Sequence, residues 1–130
     1  MNEHIPAILR TARRIAVVGL SDKPYRISHG IAETLLAHGY EVIPVNPGFR
    51  EWNGIPAWPD LRSVPFPIDI VNVFRRSEHV AALVEEAIAV GAKVFWTQSG
   101  VVDYAAAAHA EQAGMKVVMD RCIAVELARS

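Results

Sequence analysis

The chain of 130 residues contains a single cysteine, Cys122. No intramolecular disulfide can form, so a scaffold stapled by bridges is excluded, and such sparing use of cysteine fits a reducing compartment. Neither sign of charge dominates. Thirteen Lys and Arg stand against fourteen Asp and Glu, giving a net charge of −1. A general nucleic-acid binder would normally carry a basic surplus. No apolar run approaches the ~20 residues needed to cross a bilayer. The opening "MNEHIPAILRTARR" carries Glu3 and lacks the apolar centre of a secretory signal. A cytoplasmic location is the expectation. Metal-ligand spacings such as C-x-x-C and H-E-x-x-H are missing too. What the chain does have is apolar residues, 52% of the total against 21% charged. That balance reads as one globular domain over 1–130 with a sizeable core.

Short apolar runs alternate with helical patterns. Residues 3–12 put Ile5, Ile8, Leu9 and Ala12 on one face, predicting an opening helix. A strand is expected over 14–20, then a helix over 28–38 with Ile31, Leu35 and Leu36 inward, Ser28 as N-cap and Gly39 as its stop. Further strands are expected at 41–46, 68–74, 93–98 and 116–119. A short strand fits near Ile55-Pro56-Ala57, inside the Pro/Trp/Gly-rich segment 47–67. Helices are predicted from Ser77, as cap, to about Val90, from about Asp103 to Ala113, and over 120–128. This alternation implies an α/β fold, a Rossmann-like, doubly wound, mostly parallel sheet of five to six strands with helices on both faces. The strands are apolar nearly throughout, as a sheet covered on both sides requires.

Such sheets take ligands beyond the carboxyl ends of their strands. After the first strand comes "GLSDKPYRIS", residues 19–28, where a phosphate loop would stand. Only Gly19 of the G-x-G-x-x-G pattern is there, while Lys23 and Arg26 supply cations and Ser21 and Ser28 hydroxyls. Asn46-Pro47-Gly48-Phe49-Arg50 follows the second strand, Phe74-Arg75-Arg76-Ser77 the strand at 68–74, and Gln98-Ser99-Gly100 the one at 93–98. Three of the four ends carry a cation. A helix N-terminus adds unpaired N–H groups and partial positive charge, so the whole is the chemistry of an anion site. Gly19 and Gly30 would let a ligand approach the backbone. NAD is disfavoured, because its fingerprint expects an acid at the end of the second strand, where Val45-Asn46-Pro47 stands instead. NADP would tolerate a cation such as Arg50. A P-loop is worse supported, for no G-x-x-x-x-G-K-[ST] occurs.

Four blocks in order, "VVGLSDKPYRISHGIAETLLAHGYEVIPVNPG", "DIVNVFRRSEHV", "VFWTQSGVV" and "AGMKVVMDRC", cover roughly residues 12–123. Together they resemble the small stand-alone CoA-binding protein family, itself similar to the N-terminal domain of the succinyl-CoA synthetase α subunit. The resemblance implies coenzyme A or an acyl-CoA as ligand, with its pyrophosphate over the first loop. Gly19, Ser21, Lys23, Arg26 and Ser28 would serve the phosphates. Asn46, Pro47 and Arg50 would flank the adenosine, Phe74 and Arg75 would line its other side, and Gln98 and Gly100 would face the pantetheine arm. It does not extend to catalysis, since the phosphorylated histidine and nucleotide-handling partner of succinyl-CoA synthetase lie in other domains.

No catalytic constellation stands out beside it. His4, His38, His79 and His109 fall on helices and read as solvated. His29, at the helix start beneath the loop, is the one histidine placed to meet a ligand. Glu85, Glu86 and Glu111 read as solvated helix faces, and Asp120 as a structural partner of Arg121. Trp52, Trp58 and Trp96 read as core or lid, without the interleaved cations of an RNA platform. Arg121 beside Cys122 favours a thiolate, so a mixed disulfide with CoA is chemically available, although a small core thiol is the simpler reading. Two functions stay open. One is a non-catalytic CoA-binding carrier, sensor or regulatory module, with a protein partner conceivable. The other is a small NADP-type oxidoreductase or CoA-linked enzyme with unrecognised catalytic residues. Neither needs nucleic acid, membrane or metal.

Overall fold

The computed structural model describes residues 1–130. Five strands, β1 (Arg14–Val18), β2 (Glu41–Val45), β5 (Ile70–Val73), β6 (Val94–Thr97) and β7 (Lys116–Val118), form one parallel sheet in the order β2-β1-β5-β6-β7. The helices are α1 (Ile5–Thr11), α2 (Ile27–Ala37), α3 (Val80–Ala89), α4 (Tyr104–Gln112) and α5 (Ile123–Arg129). Strands β3 (Glu51–Trp52) and β4 (Ile55–Pro56) make a separate antiparallel ribbon between β2 and β5.

The alternation of side chains along a strand divides the core in two. Ile15 and Val17 of β1 pack with Ile8 and Leu9 of α1, Ile31 and Leu35 of α2 and Ile123 of α5. Ala16 and Val18 face the other way, toward Val80, Val84 and Ala87 of α3 and Ala106, Ala107 and Ala110 of α4. Each large aliphatic side chain so covered contributes about 1.5–3 kcal/mol. The doubly wound α/β expectation therefore stands, with five strands in the sheet.

Two predicted caps do not hold. α2 begins one residue earlier than predicted, with Arg26 at the N-cap and no side-chain cap bond. A turn closed by Arg26 N–H on the Lys23 carbonyl starts the helix, placing Ser28 inside its first turn. Ser77 opens a short 3₁₀ turn (Ser77–His79) ahead of α3, and its hydroxyl accepts from Val102 N–H instead of capping. The stops fare better, since Gly39, Gly91 and Gly114 all follow their helices at positive φ.

Both edges of the sheet are covered. Along β2, Trp58 N–H donates to the Pro44 carbonyl and Asn46 N–H to the Trp58 carbonyl. Pro44 itself offers no N–H on that side. Beside β7, Asn2 N–H donates to the Val117 carbonyl, while its side chain exchanges bonds with the Met119 backbone.

Candidate functional site

The chain leaves β1, passes through α2 to β2 on one side, then crosses to β5 on the other side of β1. The switch point therefore lies at the carboxyl ends of β1 and β5, where two diverging connections leave a crevice. Gly19 ends β1 with φ +86°, and a Cβ there would lie 2.9 Å from Arg75 Cδ and 3.1 Å from the Phe74 carbonyl oxygen. Glycine is required at this point both for the backbone angle and for the close approach of the strand end after β5.

The loop that follows is tied down at Leu20, Ser21, Lys23 and Ser28. Asn46 Nδ2 donates to the Leu20 carbonyl at 2.9 Å. Ser21 N–H donates to Ser28 Oγ at 3.0 Å, and Lys23 N–H to Ser21 Oγ at 3.0 Å. Trp52 Nε1 donates to the Ser21 carbonyl at 3.2 Å. Both serine hydroxyls thus act as acceptors inside the loop, leaving their own hydrogens free to donate. The N–H groups of Ile27 and Ser28, first in α2, have no acceptor within the protein, as expected for a helix start.

These groups border a cavity of about 620 Å³ lined by Gly19, Ser21, Tyr25, Arg26, Ile27, Ser28 and Phe74. Four of the predicted phosphate residues, Gly19, Ser21, Arg26 and Ser28, are brought together there, with Phe74 as an apolar wall. Lys23 is exposed and lies off the lining. Tyr25 and Ile27 are each 77% exposed at the mouth. Sequence reasoning missed both, because exposure of an apolar residue leaves no periodic signal. Gly30 stands in α2 with open space around it. On the other side of the sheet, Pro47 and Arg75 border a second hollow of about 200 Å³ with Val18, Val45, Leu61 and Leu83. Its acidic and basic rim, Asp60, His79 and Glu86, was also missed.

Several polar residues predicted for a ligand turn out to hold backbone. Asn46 accepts from Gly48 N–H at 2.7 Å besides supporting Leu20. Gln98 Oε1 accepts from Asn72 Nδ2 at 3.2 Å and from Ile123 N–H at 3.1 Å. Gly100 N–H goes to Asp120 Oδ1 at 2.6 Å. Asp120 is therefore the partner of a turn amide, and Arg121 instead reaches the Asp120 backbone carbonyl and Glu126, which corrects the expected Asp120–Arg121 ion pair. Arg50 is exposed and borders none of these cavities. His29 is buried under the loop, its Nδ1 3.1 Å from the Ser21 carbonyl. Cys122, half-buried, packs on the core cluster of α1, α2 and α5. No group of three or more metal-ligating side chains is present, and no helix is long and apolar enough to cross a membrane.

A third cavity, about 590 Å³, opens at the amino edge between α1, Asp69, Lys93 and Lys116. Asp69 accepts there from the N–H groups of Arg13 and Arg14, both at 2.9 Å, and from Lys93 Nζ at 3.3 Å. Burial pushes its carboxyl up, but the two backbone donors and the ammonium outweigh that, so the net displacement is downward.

Comparison with known proteins places this geometry. The Bacillus subtilis (strain 168) protein YneT is 47% identical over 121 residues, 93% of this chain and 90% of that one. A hypothetical protein from Pyrococcus horikoshii OT3 superposes with a TM-score of 0.94 at 37% identity, covering 99% of this chain and 91% of the other. The dinucleotide-forming acetyl-coenzyme A synthetase 1 of Ca. Korarchaeum cryptofilum is 26% identical with a TM-score of 0.70, over 80% of this chain but only 25% of that enzyme. The sequence pattern of the CoA binding domain family matches residues 13–128. Since that span takes in all five strands of the sheet and the loop after β1, the chain belongs to the CoA-binding domain family.

Proposed function

We propose that the chain binds coenzyme A or an acyl-CoA with its diphosphate over the loop after β1, as a non-catalytic carrier, sensor or regulatory module. One observation carries this reading: Arg26, two serine hydroxyls with free hydrogens and two unpaired helix N–H groups belong to residues lining one cavity at the switch point. Those donors fit a diphosphate. Backbone N–H groups at a helix start meet the oxygens, and a guanidinium neutralises charge in bidentate fashion. The adenosine is assigned to the hollow between Pro47 and Arg75, where Val18, Val45, Leu61 and Leu83 offer apolar surface to a base and the polar rim offers partners to its edge. Phe74 walls the loop cavity. Gln98 keeps Nε2 as an unpaired donor after its oxygen is engaged, which suits the amide-rich pantetheine arm. Asn46 is reassigned from ligand contact to holding the loop. Gly100 has its N–H turned to Asp120, and Lys23 and Arg50 contribute long-range charge only.

Thermal unfolding with coenzyme A, acetyl-CoA, NAD and NADP tests this. A ligand at a hundred times its Kd adds about 2.7 kcal/mol, so coenzyme A should raise Tm by several degrees and the nicotinamide nucleotides should not. A shift with NADP alone would establish the oxidoreductase reading instead.

A further inference from the structure

Beneath the loop lies a pair of side chains that the cavity does not use. Trp52, 2% exposed, comes from β3, and His29, 5% exposed, from the first turn of α2. Their rings meet edge to face, 5.1 Å between centroids and 65° between planes. Trp52 Nε1 lies 3.2 Å from the Ser21 carbonyl oxygen and 3.1 Å from His29 Nδ1, and that Nδ1 lies 3.1 Å from the same oxygen.

Two proton placements on the imidazole satisfy this triangle. With hydrogen on Nδ1, His29 and Trp52 both donate to Ser21, filling the two lone pairs of one carbonyl. With hydrogen on Nε2, the indole N–H is shared between the carbonyl and Nδ1, which then face each other 3.1 Å apart as two acceptors, the less favourable arrangement. In either case the indole holds the Ser21 carbonyl. A hydrophobic filler would need no such polar atom, since phenylalanine occupies similar space without a donor to satisfy. The ribbon is short, and its turn, Asn53-Gly54, has both φ values positive, 49° and 80°. That is the two-residue geometry which pins strand register. The side chain it delivers to the interior reaches one peptide of the anion loop. The other polar groups of Ser21, its N–H and hydroxyl oxygen, are held by Ser28 and Lys23.

We infer that Trp52, seated on His29, is a positioning residue for the anion-binding loop, fixing the Ser21 peptide from below so that the hydroxyls and N–H groups around it face the cavity. This rests on the coenzyme A reading only for the identity of the ligand. The test therefore begins without one. In Trp52→Phe, which keeps an aromatic ring and removes the N–H, amide hydrogen exchange at Ser21 and Lys23 should accelerate at least tenfold while that of β5 and β6 stays as in wild type. Trp58→Phe should leave all of these unchanged. Titration calorimetry with coenzyme A should then show affinity about tenfold weaker for Trp52→Phe.

Unchanged loop exchange, or acceleration spread evenly over the sheet, overturns the positioning role. Faster loop exchange in a protein whose wild type ignores coenzyme A keeps the positioning role and overturns the ligand. Should Trp52→Phe fail to fold, the wild-type indole N–H resonance of Trp52 decides. It should move on addition of coenzyme A although the indole does not line the cavity. A resonance that stays in place while calorimetry shows coenzyme A bound overturns the inference, and one that stays in place with no binding heat overturns the ligand instead.

Discussion

The two ends of the sheet carry cavities of nearly equal size, about 620 Å³ at the carboxyl edge and 590 Å³ at the amino edge. Both contain cations, so volume and charge count do not tell them apart. Direction does. At the carboxyl edge α2 begins, and its first N–H groups and partial positive charge add to Arg26. At the amino edge α3 and α4 have just ended, at Val90-Gly91 and Ala113-Gly114, so carbonyl ends face that side. There Lys93 is already answered by Asp69. An anion site is thus set by which way the helices run and by which donors remain unpaired.

The largest expected effect breaks the carboxyl edge alone. Arg26→Ala should weaken coenzyme A by about 10- to 100-fold, corresponding to ~1.5–3 kcal/mol for a charge-assisted contact, while Lys93→Ala and Lys116→Ala leave it unchanged by calorimetry. Equal losses from all three would abolish the distinction between the edges. Gly19→Ala should lower stability by about 1–3 kcal/mol, because alanine is strained at φ +86° and its Cβ meets the backbone after β5. Gly30→Ala, inside a helix with free space around it, should instead raise the stability of the ligand-free protein by about 0.5–1 kcal/mol. Thermal unfolding of the two variants side by side checks the pair.

At the amino edge, Asp69→Asn should cost about 1 kcal/mol near neutral pH. The Asp69 carboxyl is held below its ordinary value when folded, so its contribution is present above the unfolded value and disappears as pH falls through the lowered one. The stability gap between wild type and Asp69→Asn should therefore close in that acidic window. Coenzyme A affinity at neutral pH should not change with this substitution. A gap that widened on acidification would show that the carboxyl is not stabilised in its charged form.

The strands were legible because each is a continuous apolar run between turn residues, and a fully buried parallel sheet leaves no other pattern. Their ends proved a residue or two shorter than the apolar runs. The ribbon was half seen: Ile55-Pro56 was expected, but Glu51-Trp52 is too short to show periodicity. The Asn53-Gly54 turn between them was the signal that would have found both. Around the site, Gly19, Ser21, Arg26 and Ser28 could be picked out by position after β1. Asn46 and Gln98, polar residues at other strand ends, were assigned to the ligand, and their side-chain oxygens accept from the Gly48 and Ile123 amides. Asp120 was read as structural, but its partner is the Gly100 amide and not Arg121. Sequence gives residue type but not the demand of buried backbone groups for partners. The Trp52–His29 contact joins positions separated by 23 residues, which no local rule connects.

The covered rims of the sheet bear on how copies of this chain meet. A parallel sheet with a bare outer strand is a template on which another chain can continue the ladder. Here a proline and the Trp58 backbone close one rim, and Asn2 occupies the other. Neither rim therefore offers a second copy of the chain an uninterrupted row of free backbone groups on which to extend the ladder.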